Sequence, residues 1–186
     1  MKRRFAIALL ATTAIALTAC NKTGSQSSLD KELDAYQASA AAADAVALKA
    51  NQDFLAATAR QPGVISLPSG LMYKVLSSPD PKAPQPTASD TVTVNYEGSL
   101  VNGHVFDSSY ARGQPATFPL GRVIEAWQVG IPLMHKGDTY MLYVPSALGY
   151  GAQGMGADIP PDSVLVFKVQ LLDIGGKTPP EPQPVN

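Results

Sequence analysis

The sequence predicts an α+β protein, in which a long amino-terminal helix precedes an antiparallel sheet domain that holds one short helix. Three observations carry this. Leu29 to Ala59 contains neither glycine nor proline and is rich in alanine, the strongest helix former. From Leu71 onwards apolar residues recur at every second position, as half-buried strands require. One interruption returns to helical spacing, at Val123, Ile124 and Trp127.

Residues 1–19 read as a cleaved export signal, with Lys2, Arg3 and Arg4 followed by the uncharged, mostly apolar run Phe5 to Leu17. That run is shorter than the roughly 20 residues a membrane-spanning helix needs. Leu17-Thr18-Ala19-Cys20 resembles the bacterial lipobox, whose cysteine becomes the lipidated mature terminus. Cys20 is the single cysteine, so no intramolecular disulfide can form. Asn21 resembles the residue type of the outer-membrane sorting class, which places the expected anchor on the periplasmic side of the envelope. Losing the three leader charges leaves 11 basic against 15 acidic residues, a net charge of −4. Such a balance offers no general attraction to nucleic acid or to anionic lipid, so attachment would be covalent.

Residues 20–28 form a short polar tether, and 29–62 the Ala-rich helix, with Ser28 as its N-cap and Gln61-Pro62-Gly63 as its end. Leu29, Leu33, Tyr36, Ala40, Ala43, Ala47, Ala50 and Phe54 alternate at spacings of four and three. This heptad-like seam suits a homodimer through residues 29–59, although an alanine seam buries little area and equally suits a solvated spacer.

Residues 63–174 make the sheet domain. Leu71 to Leu76 is its first strand, and the stretch from Ser77 to Ser89, with Pro79, Pro81, Pro84 and Pro86, is a surface loop. In Thr91 to Tyr96, Val92, Val94 and Tyr96 share one face, and Asn102-Gly103 supplies a tight turn. Val123 to Gly130 is the short helix, and Thr139 to Val144 and Val164 to Ile174 are closing strands. The second of these sets Leu165, Phe167, Val169 and Leu171 on one face, with Lys168 and Gln170 opposite. Residues 175–186, with Pro179, Pro180, Pro182 and Pro184, read as a disordered tail.

Val94-Asn95-Tyr96-Glu97-Gly98, Val105-Phe106-Asp107-Ser108-Ser109, Val123-Ile124-Glu125-Ala126-Trp127, Tyr150-Gly151 and Ile159-Pro160-Pro161 follow one another in that order. In order and spacing they resemble the FKBP isomerases, over residues 69–174. Leu67-Pro68-Ser69-Gly70-Leu71, Pro115-Ala116-Thr117-Phe118 and Tyr143-Val144-Pro145-Ser146 further resemble the macrophage infectivity potentiator type, which places a helix before the catalytic domain. The resemblance implies a sheet of five or six strands curled around one short helix, with a ligand cavity between them.

Carried over by position, the resemblance implies Trp127 as the cavity floor, with Tyr96, Phe106, Val123, Ile124, Tyr150, Ile159 and Phe167 as walls and Phe118 completing the aromatic lining. Asp107 becomes the carboxylate at the rim, held by Arg112. The Ile124 amide and the Tyr150 hydroxyl become donors to ligand carbonyls. The implied activity is peptidyl-prolyl cis/trans isomerisation of proline-containing polypeptides, with macrolides as inhibitors. The alternative is a lipid-anchored chaperone or peptide-binding module that uses the same pocket. No cofactor and no metal are expected, because His104 and His135 stand apart and no metal-ligand spacing or hydrolase triad is present. Ala116 and Leu148 stand where some relatives carry aromatics, which predicts a wider cavity mouth; Met155 stands where some carry histidine, so the flap from Gly149 to Asp158 is expected to tune substrate choice.

Overall fold

A computed structural model describes residues 23–177. The expected export signal, Cys20 and the chain from 178 onwards lie outside the described residues. Helix α1 runs Thr23–Thr58. It starts five residues before the expected N-cap, so most of the supposed tether is helical; Gly24 lowers helix propensity by only about 1 kcal/mol, too little to stop a long run. The chain forms two units, divided at Ala43 and Asp44.

In the first unit, α1 presents Leu29, Leu33 and Tyr36 to solvent, at 61, 54 and 74% exposure. In the second unit the last turns of α1 pack with the sheet domain. The Phe54 ring lies 6.2 Å from that of Tyr143, and Thr58 is fully buried. Gly63 then takes a left-handed φ of +79°, which turns the chain out of the helix.

Seven antiparallel strands make one sheet: β1 (Val64–Ser66), β2 (Met72–Ser77), β3 (Asp90–Leu100), β4 (Val105–Ser108), β5 (Ala116–Pro119), β6 (Thr139–Val144) and β7 (Leu165–Lys177). Their order is β1-β2-β6-β7-β3-β4, with β5 also paired to β3. The count exceeds the expected five or six. β1 has three residues, and β4 and β5 have four each, all too short to print a period. β7 also outruns its expected end at Ile174, since Gly175 and Lys177 still pair with Thr91 and Asp90.

The central pair, β3 and β7, follows the alternation legible in the sequence. Val92, Val94, Tyr96 and Gly98 face inward from β3, and Leu165, Phe167, Val169 and Leu171 from β7. Each of these apolar side chains, when fully buried, contributes about 1.5–3 kcal/mol. Helix α2, Glu125–Gly130, crosses the concave face and buries Ala126, Trp127 and Gly130 against it. It starts two residues later than expected because the β-branched Val123 stays extended, at φ −99° and ψ 174°. Gln128 Nε2 donates to the Val123 carbonyl at 2.7 Å and locks that entry.

The Asn102-Gly103 turn forms as read, with Gly103 at φ +85° and its N–H donating to Leu100 O at 2.9 Å. Beyond it the register between β3 and β4 slips at Gly98/Ser99, where Phe106 is the extra residue. Bulges of this kind re-aim a side chain beside a site.

Candidate active site

Between α2 and the concave face of the sheet lies a cavity of about 310 Å³. Its aromatic wall comes from strands whose alternation points inward: Tyr96 on β3, Phe106 at the bulge, Phe118 on β5 and Phe167 on β7. Trp127 on α2 forms the floor, 4% exposed. The rings meet edge to face: Trp127 lies 5.1 Å from Tyr96, 5.6 Å from Phe118 and 5.4 Å from Phe167, and Phe106 lies 5.6 Å from Phe167. This geometry suits aromatic quadrupoles and leaves the middle open. Among the described residues no group accepts from the buried indole N–H of Trp127.

Gly98 makes the close approach of two rings possible. A Cβ placed there would stand 2.7 Å from Phe106 Cζ and 2.7 Å from Phe167 Cε1, well inside van der Waals contact.

One rim is polar. The Tyr96 hydroxyl donates to Asp107 Oδ2, Arg112 Nη1 donates to Asp107 Oδ1, and Arg112 Nη2 donates to the Tyr96 hydroxyl oxygen at 3.0 Å. The guanidinium also stands 5.5 Å above the Tyr96 ring, a cation–π distance. Burial pushes the Asp107 pKa up, but the hydrogen bonds from Tyr96 and Arg112 and the Arg112 charge outweigh it, so Asp107 titrates below the ordinary carboxylate range. Burial and the Asp107 charge raise the Tyr150 pKa. Burial, then the bond to Asp107, does the same for Tyr96. Both hydroxyls stay protonated donors at neutral pH.

Because Asp107 is depressed when folded, its stabilising contribution is complete above the unfolded value near 4 and disappears as pH falls through the folded value. Asp107→Asn is therefore expected to lower Tm at pH 7, and the gap from the parent should shrink on acidification to pH 3. Paired thermal melts at the two pH values check this.

Tyr150, Val123 and Ile124 line the cavity with the five other aromatic residues and Asp107. Arg112 does not line it and acts through Asp107 and Tyr96. Ile159 departs from expectation: it is 1% exposed and sits in the core instead of on the wall. Its backbone forms a two-bond bridge with Met155, N–H to O at 2.8 and 3.2 Å. That bridge brings Met155 to the cavity mouth, where it lines the wall at 48% exposure. Arg122 also lines the cavity and had no motif to mark it; its one signal is its place directly before Val123 and Ile124. Among the described residues no group of acidic, histidine or cysteine side chains could hold a metal.

A family model described as "FKBP-type peptidyl-prolyl cis-trans isomerase" matches residues 82–172. A second, described as "Domain amino terminal to FKBP-type peptidyl-prolyl isomerase", matches residues 8–75. The crystal structure of a peptidyl-prolyl cis-trans isomerase from Pseudomonas syringae pv. tomato superimposes with a TM-score of 0.65 at 36% identity, over 70% of this chain and 95% of that one. The chain belongs to the FKBP-type peptidyl-prolyl isomerase family.

Within the family, "Peptidyl-prolyl cis-trans isomerase Mip" of Coxiella burnetii is 51% identical over 124 residues, 67% of this chain and 53% of that protein. "Outer membrane protein MIP" of Legionella longbeachae is 42% identical over 121 residues, 65% of this chain and 51% of that protein. The chain spans a little over half the length of the curated relatives it matches. Four of the five motifs place residues on the wall of this one cavity; the fifth, Ile159-Pro160-Pro161, does not.

Proposed function

We propose that this FKBP-type chain is a peptidyl-prolyl cis/trans isomerase that accelerates X-Pro rotation in envelope or secreted polypeptides and so assists their folding. The observation that carries the proposal is the open cavity of about 310 Å³ walled by six aromatic rings, within the size range of ligand pockets.

Rotation about an X-Pro bond meets a barrier of about 18–20 kcal/mol because the planar amide is resonance-stabilised. The twisted amide has lost that resonance and with it much of its charge separation. Moving it from water into a dry aromatic cavity therefore costs less than moving the planar form, and the difference lowers the barrier. Trp127, Phe167 and Phe106 hold the prolyl ring. The Tyr150 hydroxyl and the Ile124 amide hold the carbonyls on either side, so that rotation is confined to the one bond. Asp107, fixed by Arg112 and Tyr96, keeps a negative edge at the rim that the rotating carbonyl carbon faces. No nucleophile takes part. A protease-free isomerisation assay on Leu-Pro and Phe-Pro peptides tests the proposal: faster exchange is expected, and a folded protein without effect on either peptide would refute it. Macrolides occupy the same walls and should quench Trp127 fluorescence on binding.

The sequence supports lipid anchoring at Cys20 on the periplasmic side of the envelope, and the Legionella relative's name, an outer membrane protein, supports the outer membrane as its site. Cys20→Ser is expected to release the protein from sedimented membranes into the soluble fraction; continued pelleting would contradict it. Of the proposed homodimer seam over residues 29–59, exposed Leu29, Leu33 and Tyr36 support the first turns, whereas Phe54 packs against Tyr143 of its own chain; equilibrium sedimentation reads the association.

A further inference from the structure

We propose that Asn51, on α1 and outside the lining of the aromatic cavity, is a positioning residue for the cavity mouth. Its side-chain Nδ2 donates to the backbone carbonyl of Asp162 at 2.9 Å. Asp162 has a φ of 54°, the one non-glycine residue with positive φ among the described residues. L residues seldom adopt that conformation unless their surroundings hold it. Asp162 is held on both sides: its own N–H donates to Gly151 O at 2.9 Å, and its carbonyl accepts from Asn51.

The bond from Asp162 to Gly151 ties together the two ends of a segment that carries the mouth. Tyr150 stands directly before it, and Met155 projects from within it through the bridge to Ile159. Gly154 leaves no slack there, since a Cβ at that position would lie 2.2 Å from Ile159 O. Tied at both ends by the bond from Asp162 to Gly151, the segment takes its orientation from what grips that knot.

That grip is polar. α1 faces this region through Ala47, Ala50 and Asn51 across a second cavity of about 230 Å³, whose opposite side includes Pro160, Pro161 and Val164. Small side chains facing a cavity give little packing to hold the knot, so the Asn51 amide sets its position. Residues of the preceding helix thereby enter the geometry of Tyr150 and Met155.

The inference rests on the isomerase reading for its kinetic effect, though not for its structural one, and the test keeps the two apart. Asn51→Asp keeps size and shape and removes the donor, whereas Asn51→Gln keeps a donor. In the full chain, Asn51→Asp and Asn51→Ala are expected to raise KM for a Leu-Pro peptide about five- to tenfold, with kcat changed less than twofold. Asn51→Gln should recover part of that loss. Amide hydrogen exchange at Met155 and Asp162 should quicken at least tenfold in Asn51→Asp, with β3 and β7 amides unchanged. Parent-like exchange in Asn51→Asp would overturn the inference whatever the activity. An inactive parent would refute the isomerase reading and leave the exchange test standing.

Discussion

Replacing Trp127 by alanine is expected to destabilise the protein by about 3 kcal/mol and to reduce kcat/KM for an X-Pro peptide more than a hundredfold. Large-to-small changes of buried aromatic residues typically cost about 3–5 kcal/mol. The lower end applies because the indole borders an open cavity as well as packed core. The kinetic loss has a separate origin. Trp127 is the ring on which Tyr96, Phe118 and Phe167 all converge, at 5.1 to 5.6 Å. Its removal lets those rings tilt inward and admits water. A wet floor solvates the planar amide better than the twisted one, which erases the difference that lowers the barrier. Trp127→Phe separates the two effects, since it keeps an apolar floor of smaller area and should retain more activity than alanine. Denaturant unfolding alongside isomerisation rates checks both.

Gly98→Ala should act through the opposite fault, an extra methyl group where none fits. The added carbon would lie 2.7 Å from both Phe106 and Phe167. Overpacking of this kind costs about 1–3 kcal/mol, and it can be relieved only by rotating the rings into the cavity or by shifting β3 away from the Phe106 bulge. Either movement narrows the space a prolyl ring would enter. The expected result is a tenfold or greater fall in kcat/KM with a loss of macrolide affinity, measured by titration of Trp127 fluorescence. Unchanged affinity and rate would mean that the two rings are not fixed walls.

The long strands were legible because each has one buried face. In β3 and β7 the alternation of Val92, Val94 and Tyr96, and of Leu165, Phe167, Val169 and Leu171, reports burial residue by residue. The cavity residues were legible for a different reason: their motifs resemble a family whose members put those positions around one pocket. β1, β4 and β5 gave no periodic signal, because three or four residues cannot establish a period of two. That β4 and β5 share one edge of β3, along different halves of it, is a long-range fact no local pattern encodes.

Ile159 shows the limit of transfer by position. Its motif placed it on the wall, but its side chain completes the core while its backbone presents Met155 instead. The Asn51 bond to Asp162 O is still less legible, since it joins residues 111 positions apart through one side-chain amide. The start of α1 was missed for a local reason. Gly24 and its polar neighbours read as a tether, yet a helix already nucleated by the alanine-rich run extends through such residues at small cost.

If a dry aromatic cavity speeds rotation about an X-Pro bond, exchange spectroscopy by nuclear magnetic resonance on a Phe-Pro peptide will register it. With catalytic amounts of protein, the cis and trans proline signals should show exchange at least a hundredfold faster than in the free peptide. Close contacts between proline ring protons and the Trp127 indole should accompany it. Exchange at the free-peptide rate, while those contacts are present and the protein is folded, would mean that the cavity binds proline without easing its rotation.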